Sequence, residues 1–214
     1  MRALAPQVRG LVAGRLAPSC ASCEAGVSPL TAFCASCSPT MQSIRGKPPR
    51  GTAAFVYGGA VARAIGRLRS EGRPEVARPL GDLLWQALAP RTGDLGSVVA
   101  VPVPLHPRRL AERGYNQSAL LAGRVARRLG VPLWPSALAR TRDTPPQATL
   151  PRQVRLANVI DAFVARQPEH VCGREILLID DIWTTGATLE ACEKVLLAAG
   201  ATRVSWGVVA RAGY

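Results

Sequence analysis

The stretch Ile176 to Thr188, ILLIDDIWTTGAT, constrains the fold of this chain more than any other. Ile176, Leu177, Leu178 and Ile179 form an apolar run of the length expected for a strand buried on both faces. Asp180 and Asp181 follow, then a turn of small and hydroxylated residues, Thr184, Thr185, Gly186, Ala187 and Thr188. Beyond it, Leu189, Cys192, Val195, Leu196 and Ala199 recur at helical spacing. Strand, acidic pair, turn and helix N-terminus in that order describe a ligand site at the carboxyl end of a parallel strand. The backbone N–H groups and hydroxyls of the turn suit a phosphate, assisted by the positive end of the helix. Two carboxylates do not suit a phosphate; they suit a sugar diol, a magnesium ion, or both. A ribose carrying a 5′-phosphate and a metal-bound pyrophosphate supplies all three groups.

Other phosphate motifs do not match. A Walker A loop requires GxxxxGK[ST], and no lysine follows a glycine in this turn. A dinucleotide fingerprint requires GxGxxG, which is also missing here. The plain alternative is a strand edge with a solvated Asp pair ahead of an N-capped helix. A DD pair alone is common; the whole ordering is not.

Composition bounds the rest. The 214 residues suffice for one α/β domain plus a small appendage, and the apolar fraction of 48% is that of a globular protein. The formal net charge is +13, from 27 Lys+Arg against 14 Asp+Glu, and the lysines are Lys47 and Lys194. Such a surface attracts polyanions, either nucleotides or nucleic acid. An arginine-rich, lysine-poor chain equally fits a GC-biased genome, so charge alone does not single out DNA. No run approaches the roughly 18 apolar residues of a membrane span. Arg9 and Arg15 interrupt the N-terminal apolar segment, and Ala17-Pro18-Ser19 is a poor cleavage context. Leu4, Val8, Leu11, Val12 and Leu16 are therefore expected on one face of a short helix, in a cytoplasmic protein.

Cys20/Cys23 and Cys34/Cys37 form two C-x2-C pairs separated by ten residues. Each pair can place two thiolates on a tight knuckle, and two knuckles close a tetrahedral, all-thiolate zinc site. Two disulfides are the alternative, disfavoured in a reducing compartment. A closed site of this kind stabilises a unit too small for its own core. Cys172 and Cys192 stand alone in the sequence and are expected in the core.

A Pro/Gly-rich linker from Ser38 to Gly51 leads to the strand AAFVY. A helix follows from Gly59, with Val61, Ala64, Ile65 and Leu68 on one face and Arg63, Arg67 and Arg69 opposite, most simply as a solvated face. A second helix runs through Leu80, Leu83, Leu84, Ala87 and Leu88. Next comes the strand SVVAVPVPL, and then HPRRLAERGYNQ, where His106, Arg108, Arg109 and Arg113 cluster just past the strand end. Guanidinium forks suit a pyrophosphate. A further helix starts at Asn116-Gln117-Ser118 and stops at Gly130. The segment RTRDTPPQATLPRQVRLAN reads as a mobile surface loop, either disordered and basic or closing over a ligand. A short strand, Ala162 to Ala165, precedes the central motif, and RVSWGVVARA forms the last strand. Strands separated by helices imply a right-handed, mostly parallel sheet.

These blocks, in this order, resemble the ComF family of phosphoribosyltransferase-like proteins across nearly the whole chain. Residues 176–188 are similar to the 13-residue phosphoribosyl pyrophosphate (PRPP) motif of type I phosphoribosyltransferases; the cysteines and the RGYNQ block (Arg113 to Gln117) narrow the likeness to ComF. The resemblance implies a type I phosphoribosyltransferase-like α/β fold in residues 51–214, with a mostly parallel sheet flanked by helices. An N-terminal helix and four-cysteine zinc ribbon would fill residues 1–50. It implies that Asp180 and Asp181 contact the ribose hydroxyls and Mg2+, and that Thr184, Thr185, Gly186, Ala187 and Thr188 hold the 5′-phosphate. Leu105, His106 and Arg108 would lie at the pyrophosphate loop, with Arg109 and Arg113 beside them, and Asp180, Asp181 and Arg108 would be the catalytic residues. Arg140 to Arg155 would form the flexible hood, carrying Arg142, Arg152 and Arg155. Trp183 is bulky for its place in the motif, and Arg69 stands where family members often have lysine. Neither is expected to touch the acidic pair or the phosphate turn.

Two functions are compatible with this reading. One is transfer of a phosphoribosyl group from Mg2+-bound PRPP to an unidentified base or amine. The other is a non-catalytic factor of DNA uptake in natural competence, working with competence proteins and binding single-stranded DNA through arginines. An aromatic fraction of 5% argues against an extensive base-stacking surface.

Overall fold

In a computed structural model of the chain, residues 18–29, 31–44, 51–89, 95–143 and 161–213 are described. The helix expected over Leu4 to Leu16 lies outside them, as do Arg152 and Arg155. The elements in chain order are β1 (Gly51–Val56), α1 (Gly59–Ser70), α2 (Ala77–Leu88), β2 (Val98–Pro102), α3 (Pro107–Arg113) and α4 (Gln117–Leu129). They continue as β3 (Leu138–Arg140), β4 (Phe163–Ala165), α5 (Pro168–Val171), β5 (Glu175–Trp183), α6 (Ala187–Ala198) and β6 (Arg203–Arg211).

Four strands form a parallel sheet in the order β1-β6-β5-β2, which puts β5 between two neighbours and buries Ile176 to Ile179 completely or nearly so. Such a strand needs an apolar residue at every position rather than every second one. Its alternation sorts side chains between two cores. Leu177 and Ile179 meet α1, α2 and α4, whereas Ile176 and Leu178 meet α6 and β4. β5 runs on past the apolar residues, pairing Asp180 with Val208 and Trp183 with Arg211. The acidic pair therefore lies inside the strand, near its carboxyl end.

The helices follow their apolar stripes and end where the sequence lets them. α4 is capped by Asn116, whose side chain accepts from the Ser118 N–H at 3.0 Å, and it stops at left-handed Gly130. α2 packs on α4 closely enough that a Cβ on Gly81 would stand 2.7 Å from the Arg124 Cβ. Asp82 joins the same helices by accepting from Arg124 and Arg128 at 2.8 Å. Among the described residues, no helix is long and apolar enough to cross a membrane.

Three expectations need correcting. The short strand near Phe163 is not part of the parallel sheet; it pairs antiparallel with β3 as a separate two-stranded ribbon. Arg140, read as the start of a loop, ends β3 in that ribbon, while Arg142 just beyond it is exposed. Cys172 is exposed past the end of α5, because that helix makes only one turn and buries Val171 instead; Cys192 is fully buried, as expected.

The cysteine segment is seated on the larger fold. Cys20, Ala21, Phe33 and Cys37 belong to the same apolar cluster as Ala64, Leu68 and Leu80. Residues downstream of Cys37 run along the edge of β1, with the Ile44 N–H donating to the Ala54 carbonyl at 3.1 Å and the Val56 N–H to the Gln42 carbonyl at 2.8 Å.

Candidate functional site

The acidic pair sits at the carboxyl end of β5, and each member has a different partner. Asp180 Oδ1 accepts from the Ser118 hydroxyl at 2.7 Å and from the Asp181 N–H at 2.9 Å. Asp181 is completely buried and is gripped on both oxygens by Arg69, whose Nε and Nη2 donate at 2.5 Å. Burial, and then the Asp181 charge, push the Asp180 carboxyl up to about 7, against the opposing pull of Arg69 and Ser118. For Arg69, partial burial works against the charged form, but Asp181 more than reverses it, so the guanidinium is held above its ordinary value.

This arrangement overturns two expectations. The arginines of α1 are not a solvated face. Arg67 is 5% exposed and donates to the Cys20 and Ala21 carbonyls at 3.3 and 3.0 Å and to Glu24. Arg63 donates to the Ser22 hydroxyl at 2.9 Å and reaches the Cys37 sulfur at 3.8 Å. Arg69 touches the acidic pair directly. Buried carbonyls and a buried carboxylate need donors, and Arg67 and Arg69 supply them from one helix.

Trp183 also bears on the turn. Its ring packs edge-on against Trp206 at 5.0 Å between centroids, with the Arg211 guanidinium 4.3 Å from the ring centroid. Gly186 is left-handed (φ 89°), and a Cβ there would lie 3.1 Å from Trp183 Nε1. The tryptophan is thus the floor of the Thr184–Gly186 turn. Thr185 Oγ1 accepts from the Ala187 N–H at 3.4 Å, Thr184 is exposed, and α6 begins at Ala187 with Thr188 in its first turn. The first N–H groups of a helix of this length form an anion-accepting end.

The basic block after β2 is placed by its own polar residues. Asn116 donates to the Val103 carbonyl at 3.0 Å, and Tyr115 donates to the Leu68 carbonyl at 2.6 Å, next to Arg69. Arg113 donates to the buried Gln117 side chain. These ties line a cleft of about 330 Å³ with Arg69, Ser70, Gly72, Arg109, Glu112 and Arg113. Burial and then repulsion from Arg69 hold the Arg113 guanidinium below its ordinary value. A cleft with crowded guanidinium groups favours an anion.

Of the residues singled out from the sequence, Arg109 and Arg113 line this cleft, and Asp181 is joined to it through Arg69. His106, Arg108 and Leu105 do not line it. His106 caps α3 by accepting from the Arg108 N–H at 3.3 Å, and Leu105 precedes it half-buried. Arg108 pairs with Glu112 at 3.1 Å and with Asp143 at 3.3 Å. Asp143 also lies 3.8 Å from Arg109 and 3.9 Å from His106, so it is the carboxylate around which α3 and the loop after β3 gather. Ser118 and Asp143 carried no signal in the sequence for a role at the site, and Arg69 was marked only by standing where the family often has lysine.

Both implied metals can be tested against the donors present. The Sγ atoms of Cys20, Cys23, Cys34 and Cys37 all lie within 4.8 Å of one another. Tetrahedral Zn–S bonds of about 2.3 Å put sulfurs about 3.8 Å apart, so the set fits such an ion. Burial opposes the Cys20 thiolate, but backbone donors from Cys34, Cys23 and Ser22 outweigh it and hold the thiol at about 6. The Ser22 hydroxyl, working against burial, also lowers Cys37, with help from Arg63. The Asp180–Asp181 pair does not fit a resident Mg2+ in the same way. Arg69 occupies both oxygens of Asp181, and Ser118 and a backbone N–H share one oxygen of Asp180.

Residues 116–213 match the phosphoribosyl transferase domain family. The chain is 34% identical over 149 residues to Competence protein F of Haemophilus influenzae, covering 67% of this chain and 65% of that protein. It is 34% identical over 151 residues to the DNA utilization protein YhgH of Escherichia coli K12, covering 69% of this chain and 66% of that protein. Over 102 residues it is 34% identical to Competence protein ComFC of Bacillus subtilis, covering 48% of this chain and 39% of that one. The chain thus spans just under two thirds, or less, of the length of these three relatives.

Proposed function

Because this chain belongs to the ComF family of phosphoribosyltransferase-like proteins, we propose that it binds Mg2+-bound PRPP and moves the phosphoribosyl group to a base or amine. One observation carries the reading: a buried carboxylate pair stands near the end of β5, shortly before a glycine turn and a helix N-terminus, and Asp181 is tied through Arg69 to a cleft that Arg109 and Arg113 also line. In this reading the turn Thr184 to Thr188 holds the 5′-phosphate. Asp180 and Asp181 take the ribose hydroxyls. With its carboxyl held at about 7, Asp180 is able either to accept from a hydroxyl or to donate to one near neutral pH. The diphosphate extends into the cleft, where Arg109 and Arg113 stabilise the charge that grows as it leaves. The bond from C1′ to the diphosphate oxygen breaks with its electron pair on oxygen, and the acceptor nitrogen forms the new bond at C1′ and gives up a proton. Magnesium belongs to the substrate here and offsets part of the diphosphate charge.

The test is calorimetric titration with PRPP and Mg2+. Asp180→Asn and Asp181→Asn are each expected to weaken binding at least about tenfold, the loss of one charge-assisted contact; unchanged affinity removes the site. Release of pyrophosphate with a panel of bases and amines then reads turnover. We also infer a structural Zn2+ on the four cysteines, expected at one ion per chain by elemental analysis.

The relatives' names join them to competence and DNA use, and we propose a role for this chain on the same path, with single-stranded DNA as the partner of its +13 surface. Gel shifts at rising salt decide this. No affinity even at low salt would sink it.

A further inference from the structure

Arg69 is placed to do two jobs that exclude each other. It closes both oxygens of the fully buried Asp181 at 2.5 Å, and it also lines the basic cleft with Arg109 and Arg113. Its side chain is 38% exposed, so the group that seals the carboxylate is reachable from the cleft. We propose that Arg69 is a built-in counter-cation: it keeps free divalent metal off the acidic pair and lets go of Asp181 only for a polyanion that brings its own metal. The proposal rests on the phosphoribosyl reading of the site.

The argument is one of charge and ligand count. A divalent ion arriving alone would have to displace a bidentate guanidinium from a buried carboxylate and then sit beside it, and the carboxylate that lines the cleft among the described residues, Glu112, is already paired with Arg108 at 3.1 Å. A diphosphate carrying magnesium supplies a receiver for the freed guanidinium. Arg69 exchanges one set of anionic oxygens for another without leaving the cleft, and Asp181 opens toward the ribose and metal in the same movement. The repulsion Arg113 already feels from Arg69 turns into joint binding once an anion lies between them. The site therefore admits metal and diphosphate together.

Three chains test this: the wild type, Arg69→Met, which keeps the stem but removes the fork, and Arg69→Lys, which keeps the charge but covers one oxygen at a time. The probes are Mn2+ alone, followed by electron paramagnetic resonance, and Mg2+ with PRPP, followed by calorimetry. Expected is Mn2+ binding at least tenfold tighter in Arg69→Met than in the wild type, with Arg69→Lys between them. Adding Asp181→Asn to Arg69→Met should abolish the gain. Mg2+ with PRPP should bind Arg69→Met at least tenfold more weakly than the wild type. Equal Mn2+ affinity in wild type and Arg69→Lys overturns the proposal, and this arm holds even if Arg69→Met does not fold. Undiminished PRPP binding by a folded Arg69→Met overturns it as well. A wild type that ignores PRPP refutes the phosphoribosyl reading and the release step with it. The Mn2+ series then separately decides whether Arg69 guards Asp181.

Discussion

Asp181 and Arg69 are unequal partners, since the carboxylate has no exposed surface and the guanidinium side chain keeps 38% of its own. Breaking a buried pair costs roughly 3–5 kcal/mol, mostly for the charge left behind. Arg69→Ala strands the deeply buried member and is expected near the top of that range. Asp181→Asn strands the half-exposed member, which solvent screens, and is expected below the bottom of it. Urea unfolding of the two variants checks the order. Asp180 sets a pH signature. Its carboxyl is raised from 3.8 to about 7 by burial and by Asp181, so the folded chain keeps a proton that the unfolded chain has lost. This contribution is fully present below about pH 4 and is lost as pH rises toward 7, with a slope of up to about 1.4 kcal/mol per pH unit. The difference in unfolding free energy between wild type and Asp180→Asn, followed from pH 4 to 8, should trace that decline. The acidic pair and its turn were legible because the residues that make them are contiguous. Arg69 lies 112 residues from Asp181 and Ser118 lies 62 from Asp180. Nothing in helical periodicity marks one arginine of α1 as the partner of a distant carboxylate.

At the level of elements, α1 links the two ends of the molecule that the sequence presents as separate. Arg63 and Arg67 hold the cysteine knuckle, and Arg69 holds β5 through Asp181. Arg67→Ala removes buried, charge-assisted bonds to two carbonyls and is expected to cost about 1.5–3 kcal/mol. It should also speed the release of zinc to a chromogenic chelator, which is the measurement that separates a loosened knuckle from a general loss of stability. The helices were readable because their apolar stripes and stop signals, such as Gly130 after α4, are local. The ribbon of β3 and β4 was not readable. Each strand has three residues, and their pairing joins Arg140 to Phe163 across a long stretch of sequence. Short strands carry little periodicity, so proximity in space decides them.

For the whole molecule, the +13 charge makes a simple prediction: any affinity for single-stranded DNA should fall steeply with salt, while a contact through the acidic pair should not. Competition by PRPP for bound DNA at fixed salt would place both ligands on the same arginines. The seat of the knuckle has a further consequence. Cys20, Phe33 and Cys37 share an apolar cluster with α1 and α2. A metal ion on those thiols is then a ligand of the native state as a whole, and its free concentration becomes a thermodynamic dial. In a calorimeter the chain should melt in one cooperative transition whose midpoint climbs with buffered zinc, and chelation should lower the melting of the sheet along with that of the knuckle.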